Sequence, residues 1–157
     1  MDLRIIVLNC NSLNSKLSEV KLLVDDVKPE LVCLTETWLT KGEPKFKNYK
    51  CEWKHRLDRV GGGLGILIKG NLQCDKVNLS PFNNGVLEVQ AINLHLRNGT
   101  KLSILNYYNP NKDVRLTEFQ HYLNTFPAKG PTGGSPVAIL GSEGAHRWFP
   151  SYYNNRV

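Results

Sequence analysis

Short apolar runs alternate with polar breaks along this chain, and the period of the apolar positions changes four times. The run Leu3-Arg4-Ile5-Ile6-Val7-Leu8 has strand length and β-branched residues and stops at Asn9-Cys10-Asn11-Ser12, which predicts a buried opening strand. After Asn14 and Ser15, both good N-cap types, Leu17, Val20, Val24 and Val27 recur at the spacing of one helical face until Pro29 forbids continuation. Leu31-Val32-Cys33-Leu34 is apolar at every position, as a strand covered on both faces must be, and it leads directly into Thr35-Glu36-Thr37-Trp38. Strand, helix, strand predicts a crossover unit with two parallel strands.

The segment 48–106 has no helical period and reads as a run of sheet strands separated by turn residues. Gly61-Gly62-Gly63 precedes Leu64-Gly65-Ile66-Leu67-Ile68, and Asn98-Gly99 between 87–96 and 101–106 predicts a two-residue hairpin turn. The helical period returns from Asp113, with Leu116, Phe119, Leu123 and Phe126 on one face and Pro127 as the stop. A loop rich in glycine, proline and serine (130–136) then leads into Val137-Ala138-Ile139-Leu140, a short buried strand ending at Gly141.

Composition narrows the class. At 157 residues, 41% hydrophobic and 22% charged, the chain has the makeup of one globular domain and not of a disordered segment. It contains no apolar run long enough to cross a bilayer and no signal-peptide pattern, so it is expected to be a soluble, unsecreted protein of the nucleus or cytoplasm with no membrane partner. Cys10, Cys33, Cys51 and Cys74 form no C-x-x-C pair and read as reduced, mostly packed thiols. The net charge of +6 favours anionic partners. Seven basic side chains, Lys41, Lys45, Lys47, Lys50, Lys54, Arg56 and Arg59, stand against Glu43, Glu52 and Asp58 in the segment 41–60. That stretch is either a solvated face or, with Trp53 as a stacking surface, a contact for backbone phosphates.

Polar residues follow the apolar strands: Asn9 and Asn11 the first, Glu36 the second, and 106–111 the second strand of the hairpin. In layered α/β folds such strand ends bring ligand groups together from distant parts of the chain. Four strings, Leu8-Asn9-Cys10-Asn11-Ser12-Leu13, Leu34-Thr35-Glu36-Thr37-Trp38-Leu39, Gly61-Gly62-Gly63-Leu64-Gly65-Ile66 and Asn106-Tyr107-Tyr108-Asn109-Pro110-Asn111, occur in this order. In order and spacing they resemble the endonuclease domain of LINE-type non-LTR retrotransposons, a member of the endonuclease/exonuclease/phosphatase superfamily with DNase I. The resemblance covers about residues 3–146. It implies a four-layer α/β sandwich of the DNase I-like kind, two packed sheets flanked by helices. It also implies a Mg²⁺-dependent enzyme that nicks DNA ahead of the reverse transcriptase domain of the same element. Glu36 is then the metal ligand, Asn9 a neighbour positioning metal and phosphate, and Tyr108 a group bonding the scissile phosphate. Lys54, Arg56, Arg59 and Asn111 are the candidate DNA contacts.

Elementary chemistry supports those residue types. Mg²⁺ keeps several waters and is held by one or two carboxylates plus substrate phosphate, so one glutamate at a strand end is an adequate anchor. An asparagine amide can donate to a phosphate oxygen without adding a second negative charge, and a tyrosine hydroxyl can donate to charge developing on non-bridging oxygens. Each residue also has a plainer reading. Glu36 can be a solvated carboxylate past a strand, Asn9 and Asn11 turn residues, Tyr108 an aromatic packed at a sheet edge with a wet hydroxyl, and the glycine triplet a bulge without phosphate-binding character.

The pattern also departs from the family. After the strand resembling 137–140 the family reads G-D-F-N-A-H, whose Asp and Asn orient the nucleophile and stabilise the transition state. Here the chain reads Gly141-Ser142-Glu143-Gly144-Ala145-His146, so Ser142 stands for the aspartate and Gly144 for the asparagine. Glu143 lies one position away, and a one-residue shift turns a strand side chain to the other face. The family continues past this point to an Asp-His pair acting as general base, whereas this chain ends at Val157. His55, His95, His121 and His146 all fall in other contexts. The expectation is a partial endonuclease domain over 1–146 with its carboxy-terminal part missing, followed by a divergent tail over 147–157. Its function is expected to be that of a catalytically impaired DNA-nicking endonuclease or, alternatively, of a non-enzymatic nucleic-acid-binding remnant.

Overall fold

A computed structural model describes residues 2–80, 87–110, 120–122, 124, 137–143 and 151–156. The described residues form nine strands in two sheets. In one sheet, β1 (Asp2–Asn9) runs parallel to β2 (Leu31–Thr35), and the helix α1 (Leu17–Val27) joins them as the expected crossover. Antiparallel β4 (Leu64–Lys69) and then β3 (Tyr49–Lys54) extend that sheet beyond β2, and β9 (Ser151–Arg156) pairs antiparallel with the other edge of β1. The second sheet orders β5 (Gln73–Val77), β6 (Glu88–His95), β7 (Lys101–Asn109) and β8 (Val137–Glu143), with the β7–β8 pair parallel.

The two-residue period of each strand decides the layering. Ile5 and Val7, Leu31 and Cys33, and Ile66 and Ile68 face the second sheet and meet Ile92, Leu94, Leu102, Ile104 and Leu140 in the central core. The alternate positions, Ile6 and Leu8, Val32 and Leu34, and Leu67, face the other way and bury Val20 and Val24 of α1. On the outer face of the second sheet Val89, Ala91 and Leu105 pack on Tyr122, which belongs to a helical turn at 120–122. The sequence of layers is therefore helix, sheet, sheet, helical turn. β2 is buried at all five positions because it has a neighbour on each edge and a layer on each face.

Local details depart from the sequence expectations in three places. Asn14 and Ser15 do not cap α1; they lie in a 3₁₀ turn (Asn14–Lys16) ahead of it, and the Ser15 hydroxyl donates to the Ser12 carbonyl at 2.8 Å. The β6–β7 connection is a three-residue loop and not a two-residue one. Leu96 N–H donates to the Thr100 carbonyl, Gly99 N–H donates back to Leu96, and only Gly99 of the Asn98-Gly99 pair has positive φ (+81°). A type I′ turn needs positive φ at both central residues, so Asn98 instead uses its side-chain oxygen to accept from Thr100 N–H at 3.0 Å. β7 also runs on to Asn109, which places Asn106 and Tyr108 inside a strand flanked on both sides and not beyond its end. Most of the helix expected from Asp113 and the loop 130–136 lie outside the described residues.

At the end of the sandwich where β1 starts, α1 closes against a knot of charges. Glu30 accepts from Arg4 N–H at 2.9 Å and pairs with Lys69 Nζ at 3.0 Å, while the Arg4 guanidinium donates to the Val27 and Lys28 carbonyls at 2.9 and 3.0 Å. These bonds satisfy the last carbonyls of α1 and tie its exit to β1 and β4. Burial alone raises the Glu30 carboxyl, but the Arg4 N–H, Lys69 and the Arg4 guanidinium outweigh it and hold its pKa below the ordinary 4.5. Stability from a depressed carboxylate is complete above the unfolded value and is lost as pH falls through the folded one. The urea midpoint is therefore expected to drop as pH falls below the ordinary 4.5, and to drop less steeply in Glu30→Gln. Equal slopes for the two proteins would remove Glu30 as the cause.

Candidate functional site

The site lies where the parallel strands β1 and β2 end, opposite the far end of β7 and β8. Past their last residues the backbones of β1 and β2 stay coupled: Cys10, Ser12 and Leu13 N–H groups donate to the Thr35, Glu36 and Thr37 carbonyls at 2.8, 3.0 and 3.0 Å. Asn9 is the register partner of Thr35, so it stands beside the residue preceding Glu36. Its side-chain oxygen accepts Asn11 N–H at 3.1 Å, and Asn11 takes the left-handed backbone (φ +43°) that such an Asx turn tolerates.

Glu36 is only 5% exposed. Its Oε1 accepts the Tyr108 hydroxyl across the gap between the sheets, and its Oε2 lies 3.3 Å from the donating Trp38 indole nitrogen. A buried carboxylate without donors is strongly disfavoured, so these two bonds are what allow it to sit here. Burial of Tyr108, together with its bond to the negative Glu36, pushes the phenol pKa well above its ordinary 10.0. Tyr108 therefore remains a hydrogen-bond donor throughout the neutral range. Asn106, two residues earlier and fully buried, donates through Nδ2 to the Leu34 and Gly65 carbonyls at 3.1 and 3.2 Å and braces the same gap.

Glu36 and Trp38 both have positive φ, +49° and +54°, a conformation that costs an L-residue about 1–2 kcal/mol. The glycine triplet holds the loop there: Gly63 and Gly62 carbonyls accept Thr37 and Trp38 N–H at 3.2 and 2.9 Å. A side chain at Gly62 would collide with Glu88 Oε1 and the Arg56 guanidinium, and Gly62 itself sits at φ +71°. The triplet is thus structural. Glu88 completes the arrangement, accepting Gly63 N–H at 2.7 Å and pairing with Arg56 Nη1 at 3.1 Å, with both side chains about nine-tenths buried. Burial raises the Glu88 pKa above the ordinary 4.5, and Gly63 N–H and Arg56 only partly offset it.

Of the candidate residues, Glu36 and Tyr108 meet, and Asn9 stands in register with Thr35, the residue before Glu36. Ser142 is the backbone register partner of Tyr108, and Glu143 that of Asn109. Lys54 and Arg56 are committed inward: Lys54 Nζ donates to the Val89 carbonyl at 2.7 Å, its pKa lowered by burial, and Arg56 pairs with Glu88. Arg59 is half exposed, 3.9 Å from Asp58. Trp53 packs over Gly65 at the rim of the helix-side core. Asn111 and Gly144 lie outside the described residues. Sequence reasoning passed over Glu88 and Asn106. The signal for Glu88 was a lone acid between Leu87 and Val89; for Asn106 it was an amide within an apolar strand.

Among the described residues no three His, Cys, Asp or Glu gather into a metal cluster. The donor set nonetheless fits Mg²⁺, which needs one or two carboxylates and otherwise keeps water or phosphate. Each Glu36 oxygen engages one donor and, as a carboxylate oxygen, retains a second lone pair.

No protein-family model matches the chain, and no curated protein matches it in sequence. Solved structures do match its fold. The AP endonuclease of Leishmania major has a TM-score of 0.60 at 16% identity, over 89% of this chain and 54% of its own. ANGEL2, a 2',3'-cyclic phosphatase, has 0.62 at 15% identity over 90% and 52%. The endonuclease domain of TRAS1, a telomere-specific non-LTR retrotransposon, has 0.60 at 11% identity over 90% and 60%. The chain therefore has the DNase I-like fold that these structures share, two packed sheets with helical layers outside. The chain spans about half the length of the structures it matches.

Tyr108→Phe removes one of the two donors that Glu36 has across its carboxylate, at a site too buried for bulk water to replace it. The variant is expected to lose about 1–3 kcal/mol of folding stability at neutral pH, read by urea denaturation. An unchanged midpoint would show that the carboxylate does not depend on this bond.

Proposed function

We propose that this chain carries the metal-holding and phosphate-facing part of a Mg²⁺-dependent DNA endonuclease site of the LINE retrotransposon type, with an impaired hydrolytic step. The observation that carries the reading is the Tyr108 hydroxyl seated on the Glu36 carboxylate between the two sheets, with Asn9 in register with Thr35, the residue before Glu36. Glu36, helped by Asn9, would hold the ion. When bound, Mg²⁺ supplies charge neutralisation at phosphoryl oxygens. Tyr108 stays protonated and offers its hydroxyl to a non-bridging oxygen, and the Asn9 amide adds a donor without negative charge.

The impairment rests on Ser142 and Gly144. A neutral serine hydroxyl lacks the charge with which an aspartate orients the nucleophile, and glycine has no side chain to stabilise the transition state. These substitutions also favour the second reading, a chain that binds nucleic acid without cutting it. DNA as substrate and the reverse transcriptase domain as partner are what the four motifs imply, and the likeness in fold to an AP endonuclease and to the TRAS1 endonuclease domain supports the first. With Lys54 and Arg56 engaged internally, phosphate contact falls to exposed Lys41, Lys45 and Lys47 and to Arg59.

Supercoiled plasmid incubated with the purified chain in Mg²⁺ is expected to remain uncut, since loss of one group that stabilises the transition state costs about 10²–10³-fold. Nicking that disappears in Glu36→Ala would overturn the impairment. In gel-shift titrations the affinity for duplex DNA is expected to fall steeply between about 50 and about 200 mM salt, and a flat response would overturn the assignment of DNA as partner.

A further inference from the structure

Two carboxylates bridge the gap between the sheets in opposite directions. Glu36, carried by the sheet of β1 and β2, receives the Tyr108 hydroxyl from β7. Glu88, the β6 register partner of Tyr108, reaches the other way and takes Gly63 N–H at 2.7 Å, with its second oxygen held by Arg56 at 3.1 Å. From Glu88 a chain of hydrogen bonds leads to Glu36. Gly63 carbonyl accepts Thr37 N–H, Gly62 carbonyl accepts Trp38 N–H, and the Trp38 indole donates to Glu36 Oε2 at 3.3 Å. The loop being held contains two residues in left-handed backbone, Glu36 and Trp38, which an unsupported chain would relax. Gly62 lacks a side chain where Glu88 and Arg56 press on it, so the carboxylate and the loop are in direct contact.

We infer that Glu88, its carboxylate aligned by Arg56, is a positioning residue that fixes the Glu36 carboxylate for a divalent cation by clamping the Gly62-Gly63 backbone against the loop 36–38. The inference deepens the proposed function and rests on Glu36 being the cation ligand. Reach, and not charge alone, is what the clamp requires. A glutamine at 88 still presents an oxygen to Gly63 N–H, whereas an aspartate keeps the charge for Arg56 but is one methylene too short to span both partners. Groups that orient a metal ligand without touching the metal are typically worth about 10–100-fold in affinity.

The test uses the full chain labelled with ¹⁵N. The three tryptophan indole N–H resonances are recorded, and that of Trp38 is assigned by its loss in Trp38→Phe. Glu88→Asp is expected to shift the Trp38 indole resonance and to weaken Mg²⁺ binding, measured calorimetrically, by about tenfold or more. Glu88→Gln is expected to keep both near wild type, although it loses the Arg56 ion pair. Far-UV circular dichroism confirms that each variant is folded, and Glu88→Gln serves if Glu88→Asp is not: a Gln variant with a displaced indole and weakened Mg²⁺ overturns the clamp. A folded Glu88→Asp whose indole resonance and Mg²⁺ affinity match wild type overturns it as well, as does an effect confined to thermal stability. Failure of the underlying reading looks different. Wild-type protein that binds no Mg²⁺, or binds it equally well as Glu36→Gln, removes the cation site whatever Glu88 does.

Discussion

A carboxylate buried between two sheets organises this molecule. Glu36 loses nearly all of its hydration, and a charge so placed persists only with donors fixed around it. Tyr108 supplies one from the opposite sheet and Trp38 another from its own loop. The first fixes how the two sheets sit against one another at this end of the sandwich. The second requires the chain to turn sharply after β2. Both requirements propagate outward, to Asn106 bracing the same gap and to the glycine triplet holding the left-handed loop.

A second network lies far from Glu36. At the other end of the sandwich Glu30, Arg4 and Lys69 lock the exit of α1 to β1 and β4. The parallel pair β1–β2 is thereby held at both ends, by that charge knot where it begins and by the Cys10, Ser12 and Leu13 hydrogen bonds where it finishes. Side chains at the finish, Glu36 among them, are then set with little freedom.

Cationic side chains divide between two tasks. Lys54 and Arg56 neutralise or cap buried acceptors near Glu88, and their desolvation makes them poor partners for an incoming phosphate. The lysines at 41, 45 and 47 stay at the surface, where attraction to a polyanion is long-ranged and falls with salt. A basic stretch that looks uniform along the chain is therefore two populations in space. Composition counts both alike, because net charge carries no record of burial.

What the chain alone determined was the alternation: which apolar runs before residue 141 are strands, that α1 crosses between parallel neighbours, and that polar residues at 9, 36 and 108 follow or close apolar strands. These depend on periods of two and 3.6 and on nearby residues, and so they are legible locally; β9, in the stretch read as a divergent tail, was not legible. The four spaced strings carried the fold as well. Tertiary structure decided the rest. Whether Asn98-Gly99 made a two- or three-residue loop depended on the register of β6 and β7, and Tyr108 came to lie within a strand because β6 and β8 flank it. Glu88 and Asn106 could not be recognised beforehand, since a lone acid or amide in a strand acquires its meaning only from what the facing sheet presents. Gly63 and Gly65 lie 25 and 41 residues from those partners, and only the packing of one sheet on the other brings them together.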